Sequence, residues 1–271
     1  MLTRAIFLHT QRVSDLIITL QFDKFLDPIP EQTYIFYGPF PLDYDLRSKL
    51  ESYNIDTSKF IIKKDYEMWP KNLPVDIYKF GGWISQQFIK FIALDYLESA
   101  DVVLIQDCDT FNIRSYNWVD NQGNITLYGL PNTSQSPEYY RYVKQLTGQP
   151  KQTSYSFVSE FMPVLRDNWN ELKIFISTTY HKSWLEVFYD IFDHDSQFVD
   201  QIWFSEYELL GNWALKNRSN TRIINQDRLR LTSNWRDNIG CIAKFNCICN
   251  DSCVDFADIN EFVEMIKSKI G

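Results

Sequence analysis

Val102-Val103-Leu104-Ile105-Gln106-Asp107-Cys108-Asp109 decides how this chain is read. Four aliphatic residues in a row, with no helical gap, describe a strand buried on both faces, as found inside parallel sheets. Such strands end at the sheet edge where ligands bind. If the extended conformation runs on past Gln106, Asp107 and Asp109 point the same way, with Cα atoms roughly 6.6 Å apart. Two carboxylates facing one way are costly unless a positive group neutralises them, and a divalent cation suits that task. The plainer reading is a capped strand end with two solvated aspartates. Asp-x-Asp alone is common, and its position after a buried strand is what gives it weight.

Upstream of this stretch, strand and helix patterns alternate. Ala5-Ile6-Phe7-Leu8 is a short apolar run, followed by a helical spacing of Val13, Leu16, Ile17 and Leu20. Thr33 to Tyr37 reads as a strand closed by Gly38-Pro39, residues 43–53 as a helix, and Phe60-Ile61-Ile62 as a third strand. After Gly81-Gly82 a helix runs from about Trp83 to Leu97, with Ile84, Phe88, Phe91 and Ile92 as its apolar stripe. Strand and helix in strict alternation predict an α/β layer architecture and, here, a nucleotide-binding half. Downstream, Ile125 to Gly129 reads as a strand and Ser136-Pro137 as the start of a helix to about Leu146. Ser156 to Met162 is strand-like, and helices are expected near 168–176, 183–193 and 205–216. Thr221 to Ile224 completes the strands, and Asp258 caps a last helix with Glu261 three residues on. No repeat or Gly/Pro/Ser-rich linker divides the chain. The expectation is one domain, with a nucleotide-binding half over about 1–110, an acceptor-binding half over about 111–240 and a cysteine-containing tail over about 241–271.

At 271 residues and 45% hydrophobic content the chain can bury a sizeable core. Aromatic residues make up 16%, which suits a cleft for sugars or bases as well as it suits a large core. The net charge of −8 argues against a nucleic-acid partner, which calls for a basic surface. No stretch approaches the roughly 20 apolar residues of a membrane span, and Met1 to Thr10 lacks a signal-peptide core, so a soluble cytoplasmic protein is expected. Cys241, Cys247, Cys249 and Cys253 form no common zinc spacing; free thiols, disulfides and a metal site all stay open for them.

Taken in order, Gly81-Gly82-Trp83-Ile84-Ser85-Gln86-Gln87-Phe88-Ile89-Lys90 and then Val103 to Asp109 resemble a glycosyltransferase of the GT-A fold, within a poorly characterised bacterial and viral group. Ser159-Glu160-Phe161-Met162-Pro163 and Phe204-Ser205-Glu206-Tyr207-Glu208 extend the resemblance, which covers roughly residues 5–215. It implies a Rossmann-type α/β/α sandwich around a mixed, mainly parallel sheet. It further implies a nucleotide-sugar donor such as a UDP- or GDP-sugar, a glycan or other hydroxyl acceptor, and Mn²⁺ or Mg²⁺. By that resemblance Asp109 binds the metal, and Asp107 touches the ribose or reaches the metal through water. His9, Thr10 and Arg12 follow the first strand, where a nucleotide is received; a polar turn is the plain alternative. Gln86, Gln87 and Lys90 share a helix face and could hold phosphate and sugar hydroxyls, or simply face solvent. Glu206 is the expected base of an inverting reaction, Glu208 its substitute and Glu160 a sugar contact. The plain alternative for Glu206 is charge complementarity with a helix N-terminus. Many GT-A enzymes take a further metal ligand from a histidine near the C-terminus. Here His9, His181 and His194 all precede Glu206, which leaves fewer protein ligands, a contribution from Asn225 or Asp227, or a weak or lost metal site. Two other readings stand beside this one. A non-catalytic sugar- or partner-binding domain keeps the fold without the reaction. A nucleotidyltransferase needs a Gly-rich loop that His9-Thr10-Gln11-Arg12 does not provide.

Overall fold

The computed structural model describes residues 1–8, 12–39, 44–70, 77–80, 82–131, 138–196, 204–217, 221–225, 228–230, 247–249 and 259–270. The first part of the chain alternates as expected: β1 (Leu2–Leu8), α1 (Val13–Gln21), a short β2 (Leu26–Asp27), β3 (Gln32–Tyr37), α2 (Leu46–Glu51), β4 (Phe60–Lys64), α3 (Gly82–Tyr96) and β5 (Val102–Asp107). There follow β6 (Thr110–Asn112), β7 (Tyr116–Asn117), β8 (Ile125–Pro131), α4 (Glu138–Thr147), β9 (Tyr155–Ser156) and β10 (Phe161–Leu165). Helices α5 (Arg166–Tyr180), α6 (Trp184–Ser196) and α7 (Glu206–Asn217) come next, then β11 (Thr221–Asn225), β12 (Arg228–Arg230), β13 (Cys247–Cys249) and α8 (Ile259–Ile270).

The central sheet has the order β10-β5-β1-β3-β4. β1 lies between β3 and β5, all parallel, β4 extends the parallel run beside β3, and β10 closes the other edge antiparallel to β5. Alternation on β1 explains why both faces are covered. Ala5 and Phe7 enter one apolar cluster with Phe88 and Phe91 of α3 and Trp169 of α5. Ile6 and Leu8 enter another, with Leu16 of α1, Leu50 of α2 and Phe262 of α8. A sheet sandwiched between helices in this way hides its inner strands β1 and β5 from water, and hence these read as continuous apolar runs, whereas the edge strand β4 stays partly exposed. Three smaller sheets accompany it among the described residues, β11-β8-β9, β12-β13-β6 and the pair β2-β7. Among the described residues no helix is long and apolar enough to cross a membrane.

Three local expectations change. The extended conformation does not run through Asp109: β5 ends at Asp107, and Cys108-Asp109 turn before β6. The turn is set by buried polar groups, since the Thr19 hydroxyl donates to the Cys108 carbonyl at 2.6 Å and Gln106 Nε2 to the Thr110 carbonyl at 2.9 Å. The strand expected over 156–162 is two strands. β9 pairs with β8 and β10 with β5, and Glu160, in the left-handed region at φ 62°, turns the chain between them. The helix expected over 43–53 is limited to Leu46–Glu51, where the Asp45 carboxylate caps it by accepting from the Ser48 amide at 3.1 Å. The beginnings expected at Ser136-Pro137 and Asp258 lie outside the described residues.

Candidate active site

The carboxyl ends of the parallel strands open on a cleft of about 480 Å³. Its floor is the β5 terminus, and Asp107, Cys108 and Asp109 all line it. Gln86 and Gln87 come from the first turns of α3, Arg12 from the start of α1, Glu160 from the turn before β10, and Glu206 from the first turn of α7. Five segments far apart in the chain thus bring seven of the sequence-derived candidates to one cavity.

The Lys90 ammonium is buried beneath this floor, 2.6 Å from Asp107 Oδ1 and in hydrogen-bond contact with Glu206 Oε1. Its other neighbour is Tyr207, whose hydroxyl is 3.3 Å away. Burial alone pushes a lysine pKa down; here the facing Asp107 and Glu206 carboxylates outweigh it, and Lys90 ends above its ordinary value. Lys90 is therefore a clamp between two carboxylates and does not line the cleft. Gln86 Nε2 donates to Asp107 Oδ1 at 3.3 Å, and Gln87 Oε1 accepts from the Glu206 amide at 3.0 Å, capping α7 from another helix. Arg12 serves the other aspartate: its Nη1 is 3.3 Å from Asp109 Oδ2 and 3.0 Å from Asp15 Oδ2.

Two acidic oxygens remain. Asp109 Oδ1 and Glu206 Oε2 are buried and accept no hydrogen bond among the described residues. Burial, reinforced by Asp107, holds the Asp109 pKa well above the carboxylate range against the pull of Arg12. Burial likewise raises Glu206, against the opposing pull of Lys90. Glu160 shares the cleft, and its own carbonyl accepts from the Asp107 amide at 2.8 Å, which locks the turn to the motif strand.

Glu208 is turned the other way. Its Oε1 accepts from the Ser156 hydroxyl, the Phe157 amide at 3.0 Å and the Tyr140 hydroxyl at 3.2 Å, so it ties α7 to β9 and α4 rather than facing the cleft. His9, Thr10 and Asp227 lie outside the described residues, as do Cys241 and Cys253 and the side chains of Cys247 and Cys249. Asn225 is exposed at the end of β11 and does not line the cleft. Sequence reasoning missed the supports. Arg4 Nε donates to Gln106 Oε1 at 3.0 Å, and Arg4 is paired with Asp23 at 2.6 Å, a buried polar chain reaching the motif turn. An arginine directly ahead of the apolar run of β1 was the available signal. Trp83, Tyr139 and Tyr207 also line the cleft; only the aromatic richness of the chain hinted at them.

The donor set suits a hard divalent cation, being all oxygen, and the orphaned Asp109 Oδ1 offers such an ion a ligand. Among the described residues no group of three His, Cys, Asp or Glu side chains converges to hold a metal. A metal here would draw on few protein ligands and take the rest from substrate and water. No family model matches the sequence, and no curated protein does. Among solved structures the chain is similar to the galactosyltransferase LgtC, crystallised in complex with donor and acceptor sugar analogs. The identity is 14%, the coverage 98% of this chain and 95% of that one, and the TM-score 0.50. An active-site mutant of LgtC aligns with the same figures. Mouse xyloside xylosyltransferase 1 aligns at 8% identity over 94% of this chain and 100% of that one, with a TM-score of 0.49. The likeness to LgtC shows the fold: a GT-A-like glycosyltransferase fold around a central mixed, mainly parallel sheet.

Proposed function

We propose that this chain is a metal-dependent glycosyltransferase that moves a sugar from a nucleotide-sugar donor, a UDP- or GDP-sugar, to an acceptor hydroxyl. The observation that carries the reading is the cleft in a GT-A-like fold where Asp109 Oδ1 and Glu206 Oε2 are both buried without partners. Charge supports it too. Among the described residues, Arg12 pairs with Asp15 and Asp109 and Lys90 with Asp107 and Glu206, two carboxylates to each cation, an acidic balance that suits a divalent cation.

In this reading Asp109 and Asp107 hold Mn²⁺ or Mg²⁺. The ion, when bound, stabilises the negative charge of the departing nucleoside diphosphate. Glu206 is the base of an inverting transfer. Its Oε2 takes the proton of the acceptor hydroxyl while Lys90 fixes the other oxygen, and its raised pKa makes it a better proton acceptor. Gln86 orients Asp107, Arg12 orients Asp109, and Glu160 contacts the donor sugar. Glu208, with its oxygens engaged beneath the surface, supports α7. His9 and Thr10 belong to the donor-binding loop after β1.

Hydrolysis or transfer from UDP- and GDP-sugars is expected to require Mn²⁺ or Mg²⁺, and Asp109→Ala to lower it by about 10²-fold or more, the scale of losing one charge-stabilising group. Undiminished activity of Asp109→Ala, or activity that survives EDTA, would overturn the metal assignment. One other reading is a sugar-binding domain of this fold without turnover. Calorimetry showing nucleotide-sugar affinity with no product over the same range would select it.

A further inference from the structure

One wall of the cleft is aromatic, and the donor chemistry above makes no use of it. Trp83 is 42% exposed, the most exposed tryptophan among the described residues, whereas Trp118 and Trp169 are fully buried. Its ring centroid lies 6.3 Å from that of Tyr139 on α4, with the planes inclined at 48°. Both rings line the cleft that holds Glu206. An indole left open in a cavity that also holds polar groups marks a ligand surface more than a core residue.

Helix geometry says which ligand. Positions 83, 87 and 90 of α3 recur at helical spacing and share a face. Gln87 and Lys90, on that face, both bond Glu206. Ser85 and Ile89, with Gly82 and Gln86 that also border the cleft, line a second cavity with Leu8 and Gly38 at the carboxyl ends of β1 and β3. A nucleotide binds at that strand edge in sheets of this kind. Trp83 therefore shares the helix face that meets Glu206 and lines the same cleft, while the side towards β1 and β3 is left to the nucleotide. Among the described lining residues the one Lys or Arg is Arg12, already paired with Asp15 and Asp109, so this wall offers no charge to a phosphorylated acceptor. What it offers is a flat apolar surface of ring size beside a buried carboxylate oxygen.

We propose that Trp83 and Tyr139 form an acceptor subsite and that the acceptor is a pyranose, its C–H face laid on the aromatic pair and one hydroxyl at Glu206 Oε2. The proposal rests on the glycosyltransferase reading. In the transfer the acceptor oxygen forms a bond to the anomeric carbon of the donor sugar. The bond from that carbon to the phosphate oxygen breaks, its electron pair leaves with the nucleoside diphosphate, and the acceptor proton passes to Glu206.

The test measures transfer from a UDP- or GDP-sugar to methyl pyranosides, to glycerol and to a serine peptide, in the wild type, Trp83→Ala and Trp83→Phe. Trp83→Ala is expected to raise the pyranoside KM about tenfold, the scale of one lost stacking contact. The donor KM moves far less, and Trp83→Phe restores most of the acceptor affinity. In parallel, methyl pyranosides are expected to change the tryptophan fluorescence of the wild type and not of Trp83→Phe. Donor and acceptor KM rising together would assign the aromatic pair to the nucleobase and overturn the proposal; so would better transfer to glycerol or to the peptide. If the wild type neither binds nor turns over any nucleotide sugar, the glycosyltransferase reading itself fails. The fluorescence result then still reports on the aromatic pair alone.

Discussion

Lys90 holds its ammonium between Asp107 and Glu206, where burial leaves little water to solvate any of the three charges. Removing one partner from a buried ion cluster leaves the rest uncompensated. Lys90→Met is therefore expected to destabilise the fold by about 3–5 kcal/mol, read as a lower urea midpoint at pH 7. A variant as stable as the wild type would mean that the two carboxylates share a proton or reach water. A second buried acid gives a pH signature. Asp65 lies under Gly38 and accepts from the Tyr78 hydroxyl, and burial pushes its pKa up to about 6 against that hydrogen bond. The folded state then holds the proton more tightly than the unfolded chain. Stability falls as pH rises from about 4 to about 6 and is flat above, by about 3 kcal/mol for this one group. Asp65→Asn is expected to lose that part of the slope in urea melts at pH 4.5 and 7, and an unchanged slope would refute the assignment. Of these residues, the aspartate pair was legible in the sequence because an apolar strand announces its own end. Lys90 was legible only as a polar position on a helix. Its partner Glu206 is 116 positions away, and local pattern carries no information about such a pairing.

Helix α7 carries Glu206 into the cleft and Glu208 out of it, although both stand in its first turn. The helix seats closely on the segment between β9 and β10: a Cβ built on Gly211 would meet the Phe157 ring at 2.5 Å. Gly211→Ala gains about 1 kcal/mol of helix propensity and meets an overpacking cost of about 1–3 kcal/mol. The expected net result is a lower thermal midpoint, together with reduced transfer, because Glu206 shifts with the helix. A raised midpoint would show that Phe157 yields. At this scale the strand and helix alternation through β5 was readable because buried strands and amphipathic helices differ in period. The division between β9 and β10 was not. It depends on Glu160 adopting a left-handed backbone that a non-glycine side chain rarely takes, and on a pairing with β5 that only the folded sheet supplies. Asn168 looked like a helix start for a similar reason, whereas β10 runs directly into α5 at Arg166.

Across the whole molecule, the earlier and later parts of the chain join in one sheet along β5 and β10, paired from Gln106–Phe161 to Val102–Leu165, and the pairing continues into the bond from the Asp107 amide to the Glu160 carbonyl. The Asp107 amide is expected to exchange its hydrogen only through global opening, with protection of the order of 5–15 kcal/mol, matching the amides of β1. Fast exchange at Asp107, with β1 still protected, would mean that this seam opens by itself. If the seam stays closed, the cleft has no hinge line through its floor. The residues proposed for the donor and for the acceptor ride on one stiff plate. Any gating that admits and releases substrates then belongs to the rim, while the spacing between the reacting groups stays constant through the catalytic cycle.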